Sequence, residues 1–378
     1  MLKIIHTADW HLRDTQFGKA TRGQDFTDSA FRIVDIAVQN DCKYILCAGD
    51  ILNSKRPSSK NIADLIRLNQ KLLNNKVIML VITGNHDKCH PSWVKVLQQE
   101  MEENGQCAIY DIDFQLFSLK SGTEEYTVYG VPDMAPDDFK TASADFPEAD
   151  ILMFHALIKD FAAFDAGDKV LKVDDLPYNK YKSILLGDIH THRYIEKGGC
   201  LIGYPGSTEL CSRSEDINKY VSLVTIDNGK ASYESIPLPL NKPIIAEDIR
   251  TAEQANDVLN KIFELKDKHP TILLRKSAEF TDLYARVARI VDTNKCIIRV
   301  TNLANKGFKL MTLANRRGKD TTGKKPEDFV GEYFNDQTDL FELAKTLCDP
   351  SVSAAPLIEN FIDNKLYANQ KTSDKKFG

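Results

Sequence analysis

The apolar positions of this chain fall into short dense runs separated by longer amphipathic stretches. Lys3-Ile4-Ile5-His6-Thr7, Tyr44-Ile45-Leu46-Cys47-Ala48 and Val77-Ile78-Met79-Leu80-Val81-Ile82 read as buried strands. Between the first two, Phe26 to Val38 carries apolar residues at 26, 30, 33, 34, 37 and 38, a helical period. Between the second and third, Pro57 starts a turn, Ser58 or Ser59 caps a helix, and Asn61 to Leu73 is amphipathic. A β-α-β-α-β run of this kind is parallel and right-handed.

From Gln106 to Val131 the pattern changes to short strands, at Ala108-Ile109-Tyr110, Phe114 to Phe117 and Tyr126 to Val131, which reads as a second sheet packed on the first. Ile151 to His155 and Tyr181 to Leu186 are further buried strands. Tyr220 to Ile226 and Ala231 to Ile236 form a hairpin around Asp227-Asn228-Gly229. Pro237-Leu238-Pro239 closes a first domain, residues 1–240. A smaller α+β domain follows over 241–304, with strands at Ile244-Ile245, Thr271 to Leu274 and Cys296 to Val300 and a helix from about Ala252 to Leu265. A basic linker, 305–335, holds Arg316-Arg317-Gly318-Lys319, and two short amphipathic segments occupy 336–378.

Composition adds three constraints. No apolar run approaches the ~18 residues a membrane span needs, and the first residues run straight into a strand without the pattern of a secretory signal. The eight cysteines are scattered with no Cys-x-x-Cys pair, so neither a zinc ribbon nor a disulfide framework is indicated, and a reduced cytoplasmic protein is expected. A net charge of −5 excludes a surface that is basic all over, so a nucleic-acid partner must be met by local basic patches or through bound metal. Of the eight histidines, all but His269 lie at or before position 192, which assigns metal chemistry to the first half.

The strand exits carry that chemistry. Asp9-Trp10-His11 follows the first strand, and in extended backbone residues i and i+2 point the same way, so Asp9 and His11 can aim at one ion. Gly49-Asp50 follows the second strand, with a glycine that lets the backbone approach a ligand. Gly84-Asn85-His86-Asp87 follows the third. His155 ends the fourth, and Gly187-Asp188-Ile189-His190-Thr191-His192 follows the fifth. Carboxylate and amide oxygens mixed with imidazole suit Mn²⁺, Fe²⁺ or Zn²⁺, not a thiolate zinc site. The count suits two ions sharing one carboxylate, a clamp for in-line attack on phosphorus when the ions are ~3.5–4 Å apart.

In this order, D-x-H, G-D, G-N-H-D, a lone His and G-x-x-H, the chain resembles the calcineurin-like metallophosphoesterases. Gly49-Asp50-Ile51-Leu52-Asn53 with Lys55-Arg56-Pro57-Ser58, and Tyr204-Pro205-Gly206-Ser207-Thr208-Glu209, are similar to the SbcD branch, the Mre-eleven repair nucleases, phage versions included. The resemblance covers residues 1–240 with specific motifs and the smaller domain more loosely. It implies an α/β fold, a two-sheet metallophosphoesterase sandwich flanked by helices, with an α+β capping domain and C-terminal helices. It further implies a manganese-dependent DNA nuclease, homodimeric, working with an SbcC-like coiled-coil ATPase that binds the C-terminal helices, in the cytoplasm or, if phage-encoded, the host cytoplasm.

Carried over by motif, Asp9, His11 and His190 hold the first metal, Asp50 bridges, and Asn85, His155 and Asp188 hold the second. His86 contacts the phosphate and protonates the leaving oxygen, with Asp87 as its orienter. Asn53, Arg56, Arg316 and Arg317 are the substrate-binding candidates. Two departures stand out. The family's G-H-x-H reads Gly187-Asp188-Ile189-His190 here, which favours a harder ion and leaves open a register that uses His190 and His192. Asn53 stands where many relatives carry a histidine. His6 and His90 read as structural or surface residues. A general phosphodiesterase and a non-catalytic DNA-end scaffold are the competing readings.

Overall fold

The computed structural model describes residues 1–163, 167 and 169–303. The first half of the chain runs β1 (Leu2–Thr7), α1 (Ala20–Gln39), β2 (Tyr44–Cys47), α2 (Ser59–Asn75), β3 (Ile78–Val81), α3 (Trp93–Glu103), β4 (Ile109–Asp111), β5 (Leu116–Ser121), β6 (Glu124–Val131), α4 (Pro136–Ala142) and β7 (Ile151–His155). It continues through β8 (Ser183–Gly187), β9 (Arg193–Lys197), β10 (Cys200–Tyr204), β11 (Lys219–Asp227) and β12 (Lys230–Leu238). The last described elements are β13 (Ile244–Ile249), α5 (Ala252–Leu265), β14 (Thr271–Lys276), α6 (Leu283–Ile290) and β15 (Ile297–Asn302).

Two six-stranded sheets, β12-β11-β1-β2-β3-β4 and β5-β6-β7-β8-β10-β9, make the body. β1 through β4 are mutually parallel, as expected of successive crossovers through helices. Alternation along β1 explains the layering. Ile5 turns to the helices, joining Ile45, Met79, Phe26, Ile33, Leu68 and Leu72. Ile4 turns to the second sheet, joining Leu46, Leu80, Val128, Met153 and Leu185. With both faces covered, the strands must be apolar throughout, and each fully buried Ile or Leu contributes about 1.5–3 kcal/mol. The outer face of the second sheet is covered by Phe139 of α4 and by Phe161 and Leu171, against Phe154, Ile184 and Tyr204.

Local signals place the helix and turn ends. Ser58 caps α2, accepting from the Asn61 amide while Asn61 answers the Ser58 amide, a reciprocal box. Asn228 and Gly229, both at positive φ, make the two-residue turn between β11 and β12. The third sheet, β13-β14-β15, is parallel and packs on α5 and α6 through Ile245, Ile262, Ile272 and Val287. Leu210, Ile244 and Leu273 join it to the body, and Arg213 donates to the Leu273 carbonyl at 2.9 Å and to Asp248 at 2.6 Å.

One strand is in a different sheet from the one expected. The Ala108–Tyr110 segment does not join the second sheet: β4 pairs in parallel with β3. The reason is α3, whose 11 residues supply the crossover that a parallel partner needs. β9, α4 and α6 were not read from the sequence. The basic linker, Arg316 and Arg317 within it, and the C-terminal amphipathic segments lie outside the described residues. Among the described residues no helix is long and apolar enough to cross a membrane.

Candidate metal centre

The fold brings all five strand exits to one edge. β1, β2 and β3 run parallel in one sheet, β7 and β8 run parallel in the other, and His155 stands opposite Gly187 in register. Extended alternation is not what turns Asp9 and His11 inward. Both have left the strand, with φ of 54° and 47°, and Asp50 and Asp188 are also left-handed, at 56° and 104°. Four ligand candidates in a backbone region that costs non-glycine residues of order 1–3 kcal/mol each is a concentration of strain typical of functional sites. Two glycines make the close approach possible. A Cβ on Gly84 would lie 2.2 Å from Asp50 Oδ1, and one on Gly49, itself at φ 92°, would lie 2.4 Å from His155 Nδ1.

Asp50 sits at the middle. Its Oδ2 lies 3.6 Å from His11 Nε2 and its Oδ1 lies 3.7 Å from His155 Nε2. Around His11 gather His190, with the two Nε2 atoms 3.1 Å apart, and Asp9, 3.9 Å from His190 Nε2. Around His155 Nε2 gather Asn85 Oδ1 at 3.3 Å and Asp188 Oδ1 at 3.9 Å. The seven predicted ligands therefore gather as two imidazole lobes about Asp50, His11 with His190 and His155 with Asn85 and Asp188, and Asp9 lies within reach of both. The donor set fits divalent cations. Asp9 is fully buried and its carboxylate accepts only the Asp188 amide, at 3.2 Å, among the hydrogen bonds of the described residues. A buried carboxylate is costly unless a cation joins it, either the protonated His190 and His155 rings of the metal-free chain or a bound metal ion.

The imidazoles are oriented from behind. His155 Nδ1 donates to the Ala48 carbonyl at 2.7 Å, and His190 Nδ1 donates to Glu215 Oε1 at 2.9 Å, so each ring turns Nε2 to the centre. Glu215 is itself held by the Cys211 and Ser212 amides, by Ser207 and by Lys219. His86 is exposed on the open side, its ring centroid 4.8 Å from that of His11 and its Nδ1 3.2 Å from the Asn53 carbonyl.

Electrostatics follow the same division. Burial pulls His155 down, but Asp50, Asp9 and Asp188 outweigh it and raise the ring to about 9. Burial also opposes a charged His190, yet Cys211, Glu215 and Asp9 raise it to about 11. His11, buried and facing His190, is held well below the ordinary imidazole value, so a protonated His190 donates to a neutral His11. Burial raises Asp9 to about 6 and also raises Asp188. Burial likewise opposes ionised Glu215, but His190 and Lys219 hold it down at about 2.

Two expected roles are redistributed. Asp87 does not orient His86: its carboxylate accepts the Gly84 amide at 2.7 Å and the Ile51 amide at 2.8 Å, tying the second and third strand exits together. The Asn53 carbonyl takes the orienting position. His192, the alternative ligand, stands apart from this cluster: its Nε2 lies 2.6 Å from Ser235 Oγ and the ring stacks on Tyr220. His6 is buried against Tyr194, and Arg56 and His90 are exposed. Sequence reasoning missed Cys211 and Glu215, which stand in a polar loop without periodic signal, and Lys219, the first residue of β11.

Against known proteins, the family described as calcineurin-like phosphoesterase matches residues 2–192, just over half of the chain. The DNA double-strand break repair protein Mre11 of Methanosarcina mazei is 26% identical over 235 residues, covering 60% of this chain and 36% of that protein. The protein of the same name from Thermoplasma acidophilum is 25% identical over 397 residues, covering 89% of this chain and all of that one. This chain thus spans little more than a third of the Methanosarcina relatives, 36% and 37% of their lengths. Among solved structures, TT1561 of Thermus thermophilus aligns at a TM-score of 0.43 and 12% identity, covering 62% of this chain and 98% of that one. The matched residues carry all seven predicted ligands and His86, and the chain belongs to the calcineurin-like phosphoesterase family.

Proposed function

We propose that this chain is a manganese-dependent DNA nuclease, exonuclease and endonuclease, that processes DNA ends in double-strand-break repair and recombination. It acts as a homodimer with an SbcC-like coiled-coil ATPase, in the cytoplasm, or in the host cytoplasm if the chain is phage-borne. The observation that carries the hydrolytic reading is Asp50, one buried carboxylate with an oxygen toward each imidazole lobe, beside an exposed His86. The names of the relatives, double-strand break repair proteins, support DNA as the substrate class.

Asp9, His11 and His190 would hold one ion and Asn85, His155 and Asp188 the other, with Asp50 available to both. Bound divalent ions supply Lewis acidity to the phosphoryl oxygens and acidify the attacking water. Asp188, a carboxylate where imidazole is usual, biases the second position toward a hard ion such as Mn²⁺. His86, with Nδ1 on the Asn53 carbonyl, keeps Nε2 for the substrate. The attacking water would give one proton to solvent and form its bond to phosphorus as the leaving oxygen departs in line, and His86 would give that leaving oxygen a proton. Asn53, half-buried with its carbonyl on His86, and the exposed Arg56 are the candidates for substrate contact.

The test is cleavage of labelled single- and double-stranded DNA in Mn²⁺, wild type beside Asp50→Ala, with a nitrophenyl phosphodiester and a phosphomonoester as controls. DNA degraded by wild type alone is the expected result. Hydrolysis of the monoester in preference to DNA, with the ATPase also present, would replace the nuclease by a phosphatase. Silence on all substrates with metal bound would leave a scaffold.

A further inference from the structure

A sulfur faces the metal centre in addition to the seven predicted ligands. Ligand atoms of His11, His190 and Cys211 all lie within 4.8 Å of one another. Ligands of one tetrahedral zinc ion stand roughly 3.5 Å apart, so small side-chain movements bring this trio to a single ion. The trio is also built. The Cys211 amide donates to Glu215 Oε2 at 3.1 Å, while Glu215 Oε1 accepts from His190 Nδ1 at 2.9 Å, so one carboxylate fixes both residues. Arg13 Nε donates to the His11 carbonyl at 2.9 Å, and burial pushes the Cys211 thiol up, with His190 and Arg13 opposing that rise. His11 is only 3% exposed, and its Nδ1 finds no hydrogen-bond partner among the described residues.

We propose that His11, His190 and Cys211 form a two-nitrogen, one-sulfur site for a thiophilic divalent ion of the zinc class, overlapping the first position of the carboxylate-bridged centre. The inference rests on the metal-centre reading for its two histidines and adds the sulfur. On binding, the thiol proton leaves to water and the sulfur coordinates as thiolate, with no change in oxidation state. The two ion classes then compete for the same imidazoles. Asp9 and Asp50 favour a hard ion, Cys211 favours a soft one, and zinc opposes manganese at this centre.

Cobalt reads the sulfur directly. Titrating metal-free, full-length protein with Co²⁺ produces a near-ultraviolet thiolate-to-metal charge-transfer band in wild type, absent in Cys211→Ser. Zn²⁺ affinity falls at least about tenfold in that variant, while Mn²⁺ affinity moves less than about twofold. In the wild-type chain, saturating Zn²⁺ slows alkylation of Cys211, located by peptide mass spectrometry, and Mn²⁺ does not; this arm needs no variant to fold. Co²⁺ that binds without the band, a band that survives Cys211→Ser, or alkylation indifferent to zinc overturns the sulfur ligand and leaves the carboxylate centre standing. Failure of the wild type to bind any ion overturns both.

Discussion

His86 and Asp87 are neighbours in sequence with opposite surroundings. Among the described residues His86 is exposed and held by its amide on Asp50, its ring on the Asn53 carbonyl and an edge contact with His11, whereas Asp87 is 6% exposed and fastened to three backbone amides. Replacing His86 by Gln removes the proton donor and none of the proposed ligands. The variant is expected to bind the same number of ions by elemental analysis and to lose about 10²–10⁴-fold in rate; loss of metal would place His86 among the ligands instead. Glu215 acts one step further out. Glu215→Gln leaves His190 without its carboxylate and is expected to weaken Mn²⁺ binding by about 10–100-fold, measured by calorimetry, and an unchanged isotherm would reduce Glu215 to a loop tie. The histidines also set a pH dependence. With His155 raised to about 9 and His190 to about 11, both rings carry a proton at neutral pH when metal-free and must release it to ligate. Apparent Mn²⁺ affinity therefore rises between pH 7 and 9, by about tenfold per unit for each proton displaced, and the slope lessens above the His155 value. Calorimetry in buffers of different ionisation enthalpy counts the protons, and a flat profile would contradict these assignments.

At the scale of elements, what was legible in the sequence was whatever is local. Each strand exit changes from apolar to carboxylate, amide or imidazole within a few residues, and that change can be read without knowing the fold. Non-local pairing is another matter. Ile109–Asp111 and Leu116–Ser121 are similar short apolar runs, yet one adds to the first sheet and the other to the second, because α3 intervenes only before the former. α6 buries Leu283 and Val287 alone, too few positions for a helical period to show, and Glu215 acquires its role only because its loop folds under β8's exit. Left-handed backbone at Asp9, His11, Asp50 and Asp188 was equally invisible, since Asp and His carry no obligatory φ. The glycines are the readable trace of this packing. In Gly84→Ala the new methyl meets Asp50 Oδ1 at 2.2 Å and the Asp50 amide at 2.5 Å, so backbone must shift. We expect about 1–3 kcal/mol of destabilisation, a melting temperature lowered by several degrees, and weakened metal binding out of proportion to the loss of stability. A variant with a wild-type melt and isotherm would show that the strand exits are looser than this packing implies.

For the whole molecule, the net charge of −5 makes a diffuse attraction to a polyanion unavailable, so under the proposed nuclease reading the centre would draw phosphate through bound ions and neighbouring basic side chains. All seven proposed ligands, His86, Asn53 and the Glu215 support lie within residues 9–215, and the contacts that fasten the third sheet, Leu210 with Ile244 and Leu273 and Arg213 with Asp248, fall before residue 304. A chain ended after Leu303 should therefore keep the chemistry and lose whatever the remaining 75 residues add, 378 less 303. The expected result is wild-type metal stoichiometry and hydrolysis of the nitrophenyl diester within about twofold, since no group that enters the transition state has been removed. If the proposed ATPase partner binds this chain, co-purification with it and any ATP-dependent gain in cutting long duplex DNA should disappear with the amphipathic segments after Asp336. If the shortened chain binds the ATPase as well as the full one, the partner surface belongs to the described body. If it loses the small-ester activity while still melting cooperatively, residues beyond 303 reach the centre, and Arg316 and Arg317 are the first to substitute.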